Sequence, residues 1–347
     1  MNSSRTAITS VFLGLLVHAY ACTRVVYHGD GGRVLTARTM DWKDDMLSNL
    51  WILPRGIERN GQAGPNSVSW KAEYGSVVTA AYDFATVDGL NEAGLMANLL
   101  WLAESEYPAA ESAKKPGLAV SLWAQYMLDR FPTVADAVAH LEKEPFVLVS
   151  DVMPGTKRMT TVHLSLSDKT GDSAIIEYVG GKQVIHHGRE HQVMTNSPTF
   201  DKQLALNEYW KGIGGTVMLP GTNRAADRYA RAMFYVNAIP QVEDRRIATA
   251  GVFSVIRNCS VPFGINTESE PNISSTRWRV VADHKDSLYY FESAVSPNIF
   301  WVDLGKVDFK PGASVMKLDL GKDSGRMIAG EVSAEFKASE PFAFQGL

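Results

Sequence analysis

Cys22 has the most chemistry to offer, because of what precedes it. Arg5 supplies a positive charge, Ile8 and then Val11 to Val17 an apolar run, and Ala19-Tyr20-Ala21 a small-x-small cleavage site. Together these read as a secretion signal over residues 1–21. Cleavage after Ala21 would leave a cysteine at a free N-terminus, with a thiol and an α-amine on one residue. The thiol can attack a carbonyl and the amine can take or give the proton, so the nucleophile brings its own base. A thiol titrates at about 8.5 and an α-amine at about 7.7–8.0, both close to neutrality. A guanidinium beside the thiol would favour the thiolate. Arg38 is the candidate, with Asp41 three residues on; on spacing alone the two also read as a solvated pair. Asn196 could donate a side-chain N–H to an oxyanion, worth roughly 10²–10³ in rate. Ahead of Ser197-Pro198, spacing alone favours reading it as a turn former. Arg228, taken alone, is one cation on a helix.

These residues need elements to position them. Residues 22–28 alternate and are rich in β-branched side chains, which predicts a strand. Gly29-Asp30-Gly31-Gly32 predicts a turn and residues 34–38 the return strand. That hairpin would carry Arg38, Thr39, Met40 and Asp41 to Cys22. Further strands are expected at 50–53, 67–70, 76–81, 95–102, 160–166, 174–179, 183–187, 276–282, 288–293 and 300–303, with 88–94 as a turn and 104–117 as a polar loop. Helical spacing predicts helices over 118–131, over 133–141 with Thr133 as N-cap, over 223–237 and over 242–256. Asn196 falls where a strand ends, a common seat for a functional side chain. Beyond Lys310 the pattern is weak. Strands in two groups around a helical middle predict an α+β fold of stacked sheets with helices outside.

Composition narrows the function. The chain has 347 residues, 45% hydrophobic and 21% charged, as a globular protein does. A net charge of −4 and no Lys/Arg cluster argue against a nucleic-acid partner. The apolar run of the leader is shorter than the roughly 20 residues a bilayer needs, and no later stretch is long enough. The leader predicts export, into a periplasm, with no stable membrane anchor. Only 2 Cys are present, so there is no disulfide framework. A Cys22–Cys259 bridge, or lipidation of Cys22 in an anchored, non-catalytic binding protein, are the other fates open to this cysteine. Ala19 stands where lipoprotein signals usually carry Leu. His187-Gly188-Arg189-Glu190-His191 matches a zinc-peptidase pattern that needs a helix, which Gly188 and the strand before it deny. No metal and no cofactor are expected.

Five stretches in order carry a resemblance. They are Cys22-Thr23-Arg24, Ala37-Arg38-Thr39-Met40-Asp41-Trp42, Asp88-Gly89-Leu90-Asn91-Glu92-Ala93-Gly94-Leu95, Thr195-Asn196-Ser197-Pro198, and Leu219-Pro220-Gly221 followed by Asp227-Arg228-Tyr229. Together they resemble the choloylglycine hydrolase family, the penicillin V acylases and conjugated bile salt hydrolases, over roughly residues 22–293. Asn49-Leu50-Trp51-Ile52 and the stretch from Leu100 to Pro108 resemble its Gram-negative branch, some of whose members also cleave N-acyl homoserine lactones. The resemblance implies an N-terminal nucleophile hydrolase, a four-layer αββα sandwich, formed by residues 22–347 as one domain. It implies metal-free hydrolysis of linear amides, with Cys22 as nucleophile, Arg38 and Asp41 holding it, Asn196 as oxyanion donor and Arg228 steadying the charges. It also implies a homotetramer. Trp101 departs from the Asn or Tyr often found at its place, which makes a backbone N–H the expected second oxyanion donor.

The expectation is an exported cysteine amidase acting on a small N-acyl amide, its aryloxyacyl or fatty acyl group in an apolar pocket bearing Trp42 and Trp101. A conjugated bile salt is the alternative substrate.

Overall fold

The computed structural model of the chain describes residues 22–108, 115–153, 157–266, 274–321 and 327–347. The predicted leader and its cleavage site, and part of the 104–117 loop, lie outside the described residues.

Two sheets dominate. Seven strands form the first, in the spatial order Val193–Met194, Thr23–His28, Val34–Trp42, Ser275–Asp283, Leu288–Ser293, Ile299–Asp303 and Gly330–Glu331. Nine form the second, in the order Lys182–His187, Ser173–Val179, Val162–Ser167, Met96–Trp101, Ala85–Asn91, Ser76–Ala81, Asn49–Leu53, Met316–Leu318 and Lys337–Ala338. Pairing is antiparallel in both, except that the short strand Gly330–Glu331 joins its neighbour in parallel.

Alternation builds two cores from one sheet. In the nine-stranded sheet Leu50, Ile52, Val77, Met96, Leu100 and Ile175 face the seven-stranded sheet. Their neighbours Trp51, Leu53, Val78, Ala97 and Ile176 face the other way, onto helices α1 (Trp123–Arg130) and α2 (Val134–Leu141). A Cβ at Gly89 would lie 2.8 Å from Leu128 Cδ1, so this glycine lets α1 approach the sheet. Helices α3 (Phe200–Ile213), α4 (Ala225–Ala238) and α5 (Arg245–Asn258) follow. α4 and α5 cover the outer face of the seven-stranded sheet with Tyr229, Ala232, Val236, Ala248 and Val252. The layers run helix, sheet, sheet, helix, the expected αββα sandwich.

Two local expectations are corrected, and two regions carried no assignment. Residues 88–94 are not one turn: the strand Ala85–Asn91 runs through Asp88, and only its end turns. The helix expected from 118 begins at Trp123, because Gly117–Ala119 pairs in parallel with Val147–Val149. α3 has no apolar period to reveal it, since its buried positions are Phe200, Gln203 and Asn207. Beyond Lys310, short strands close the edges of both sheets.

Candidate active site

The site grows out of one hairpin register. Thr23 pairs with Thr39 and Arg24 with Arg38, which sets Cys22 opposite Met40. Because side chains alternate along a strand, Arg38, Met40 and Trp42 share the face that looks toward the second sheet. Thr39 and Asp41 look the other way, toward α4. Asp41 therefore meets Cys22 through its main chain: the Cys22 thiol lies 3.9 Å from the Asp41 carbonyl oxygen. The Asp41 carboxylate accepts instead from Thr39 Oγ1 at 3.1 Å and Thr276 Oγ1 at 2.5 Å. It is fully buried, and burial pushes its pKa up to about 6 against the pull of Arg228 and these hydroxyls.

Arg38 bridges the sheets. Its guanidinium donates to the carbonyls of Val87 at 2.6 Å and Leu99 at 2.7 Å, just past the point where the ladder between strands Ala85–Asn91 and Met96–Trp101 ends at Asp88 and Asn98. It lies 3.9 Å from Cys22 Sγ and 3.5 Å from Asp88 Oδ2. Asp88 is fixed in turn by the Tyr289 hydroxyl at 2.5 Å and Asn98 Nδ2 at 2.6 Å. Burial raises the Cys22 thiol, Arg38 draws it back down, and Asp41 raises it again.

Asn196 and Arg228 hold the backbone of Cys22. Asn196 Oδ1 accepts from Cys22 N at 2.5 Å and from Arg228 at 2.9 Å, and its Nδ2 donates to the Trp101 carbonyl at 2.7 Å. These partners fix which way the amide points. Arg228, the fourth residue of α4, also donates to Cys22 O and Thr23 Oγ1, both at 2.6 Å. Behind Asn196, His163 lies 3.0 Å from Glu177 and 2.8 Å from the Thr195 carbonyl, and Glu177 accepts the Phe200 N–H that opens α3.

A cleft of about 760 Å³, its mouth included, reaches Cys22 and Arg38. Met40, Trp42, Met46, Leu99, Trp101 and Met153 give it an apolar wall. The Trp42 and Trp101 rings stand 5.8 Å apart. Leu102 N–H bonds to Thr161 across the neighbouring strand. Alternation along an antiparallel ladder then turns the Trp101 N–H and carbonyl to the opposite edge, the one Asn196 occupies.

The four other expected polar residues, Arg38, Asp41, Asn196 and Arg228, thus meet at Cys22, and both expected tryptophans line the cleft beside it. Both cysteines are free, so the Cys22–Cys259 bridge is excluded. Sequence reasoning missed Asp88 and Tyr289 behind Arg38, Thr39 and Thr276 on Asp41, and the His163–Glu177 pair. Asp88 stood in a motif already singled out, disguised by turn-like neighbours. Tyr289 gave no local signal, since it reaches the site across two sheets.

Residues 22–319 match the linear amide C–N hydrolases of the choloylglycine hydrolase family. A penicillin V acylase of Pectobacterium atrosepticum is 54% identical over 362 residues, spanning 98% of this chain and 96% of that protein. The solved penicillin V acylase of Agrobacterium tumefaciens superposes with a TM-score of 0.88 at 59% identity, over 94% of this chain and 100% of that one. A mutant conjugated bile acid hydrolase of Clostridium perfringens shares the fold, with a TM-score of 0.73 at 21% identity over 86% of this chain and 96% of its own.

Proposed function

The chain belongs to the choloylglycine hydrolase family of linear amide C–N hydrolases, and from that premise we propose that it is an exported penicillin V acylase-type amidase with Cys22 as nucleophile. The observation that carries the reading is the seat of Cys22: its thiol lies beside Arg38 at an apolar cleft, and its nitrogen is held by Asn196. In the full-length chain that nitrogen is a peptide nitrogen. Removal of residues 1–21 makes it an α-amine in the same grip.

The cleft takes the acyl group and brings the amide carbonyl to Cys22 Sγ. Arg38 favours the thiolate, which attacks the carbonyl carbon. The oxyanion forms against the second N–H of Asn196 and the main-chain N–H of Trp101. Collapse breaks the C–N bond, and the α-ammonium of Cys22 protonates the departing amine. The α-amine of Cys22, now unprotonated, takes a proton from the water that attacks the thioester, and collapse releases the acid and returns a proton to the thiolate. Arg228 and Asp41 set the position and charge of the Cys22 backbone rather than touching the reacting carbonyl.

The Trp42–Trp101 pair favours an aryloxyacyl or long acyl group over acetyl. The high identity to penicillin V acylases favours phenoxymethylpenicillin over bile salts, which enter through a more distant relative. Phenoxymethylpenicillin turnover by the purified protein should fall at least a thousandfold in Cys22→Ala, and acetyl amides should turn over far more slowly than phenoxyacetyl ones. An active Cys22→Ala protein, or equal turnover of both amides, contradicts the reading.

A further inference from the structure

The cleft has a wall from a part of the chain beyond the family match, which stops at 319. Gln345 lines the same cavity as Cys22. Its main-chain N–H donates to the Phe84 carbonyl at 3.0 Å, and its own carbonyl accepts from the Ser121 hydroxyl at 2.5 Å. Its side-chain Nε2 donates to Asp151 Oδ2 at 3.0 Å and to the Val152 carbonyl at 2.9 Å. Phe84, Ser121 and Asp151 are themselves cavity residues. One residue therefore ties together three separate segments of the wall, and both hydrogens of its amide are spent in doing so.

The flanking residues pin this wall in place. Phe342 packs on Trp51 with centroids 5.1 Å apart and on Phe344 at 4.6 Å. The Arg59 guanidinium sits 5.3 Å over the Phe344 ring, and Leu347 N–H bonds the Gln62 carbonyl at 2.9 Å. The residues bonded to Cys22 (Arg38, Asp41, Asn196 and Arg228) are a different set from those that hold Gln345.

We propose that Gln345, seated by its neighbours in residues 342–347, closes the acyl cavity and sets the length of acyl chain the enzyme accepts. The proposal rests on the reading that this cleft takes the acyl group of a linear amide. A wall fixed by four hydrogen bonds gives the cavity a defined depth. A methylene gained or lost against such a wall changes kcat/KM roughly fourfold to tenfold. Gln345→Ala deepens the cavity, and Gln345→Phe shortens it.

The test is kcat/KM over a series of N-acyl-p-nitroanilides from acetyl to tetradecanoyl, with phenoxymethylpenicillin alongside. The enzymes compared are the wild type, Gln345→Ala, Gln345→Phe and a chain ending at Phe344. The expected result is a shift of the optimum to longer chains in Gln345→Ala and in the shortened chain, with the long-to-short ratio raised at least fourfold. Gln345→Phe shifts it the opposite way. If the shortened chain does not fold, the two substitutions carry the test through their opposite directions. An unchanged chain-length profile in both, or the same proportional loss on every substrate, overturns the proposal and leaves the amidase reading standing. A wild-type enzyme that cleaves none of these amides overturns both.

Discussion

Asp41 carries much of the electrostatic cost of the site. Its carboxyl titrates at about 6 in the folded chain, against about 3.9 when unfolded. Between those values the folded protein holds a proton that the unfolded chain has released, so this residue's contribution to stability falls as pH rises through the window. Two pH units correspond to roughly 3 kcal/mol. Asp41→Asn removes the dependence. Its stability relative to wild type, from urea unfolding, should therefore rise by roughly 3 kcal/mol between pH 4 and pH 7, while amidase activity drops. A difference that stays flat with pH contradicts this. The second cysteine behaves differently. Burial pushes the Cys259 thiol up to about 11, and it points at the Arg228 carbonyl from 3.8 Å. Native enzyme treated with iodoacetamide should take one alkyl group, on Cys22, with Cys259 labelled only after denaturation. Peptide mapping decides it, and modified Cys259 in the native protein would be the contrary result.

At the scale of elements, the hairpin was legible because its alternation is local: the register that puts Cys22 opposite Met40 follows from two β-rich runs and a glycine turn. The corner that delivers Asn196 was not. It depends on His163 from one strand, Glu177 from the next and the start of α3, whose polar buried face hides the helix. The buried His163 ring bridges the Glu177 carboxylate on one side and the Thr195 carbonyl on the other. Removing one partner of such a buried hydrogen-bonded pair leaves the other unsatisfied, at about 1–3 kcal/mol or more. Glu177→Leu should lose that much in urea unfolding, and Glu177→Leu with His163→Leu should recover part of it. A loss below about 1 kcal/mol for the single variant, the level of an exposed pair, would show that the pair does not hold the corner.

Over the whole molecule, residues 22, 38, 41, 196 and 228 meet around Cys22, Arg38 from the space between the stacked sheets and Asp41 and Arg228 from the side of α4. The sequence could show the first three as neighbours because one turn joins them. Asn196 and Arg228 were structural on spacing alone and acquired roles only through the family resemblance, since their contacts with Cys22 span 174 and 206 positions. The partners of Arg38 and the wall at Gln345 depend on packing between layers, which no local pattern encodes. The central claim is that Cys22, made N-terminal, is acylated during turnover. Intact-mass spectrometry of the purified protein, alone and rapidly quenched with phenoxymethylpenicillin, tests it most directly. The account predicts a mass beginning at unmodified Cys22 and a transient phenoxyacetyl adduct that peptide mapping places on that residue. A mass retaining residues 1–21, a lipid on Cys22, or an active enzyme acylated elsewhere would contradict it.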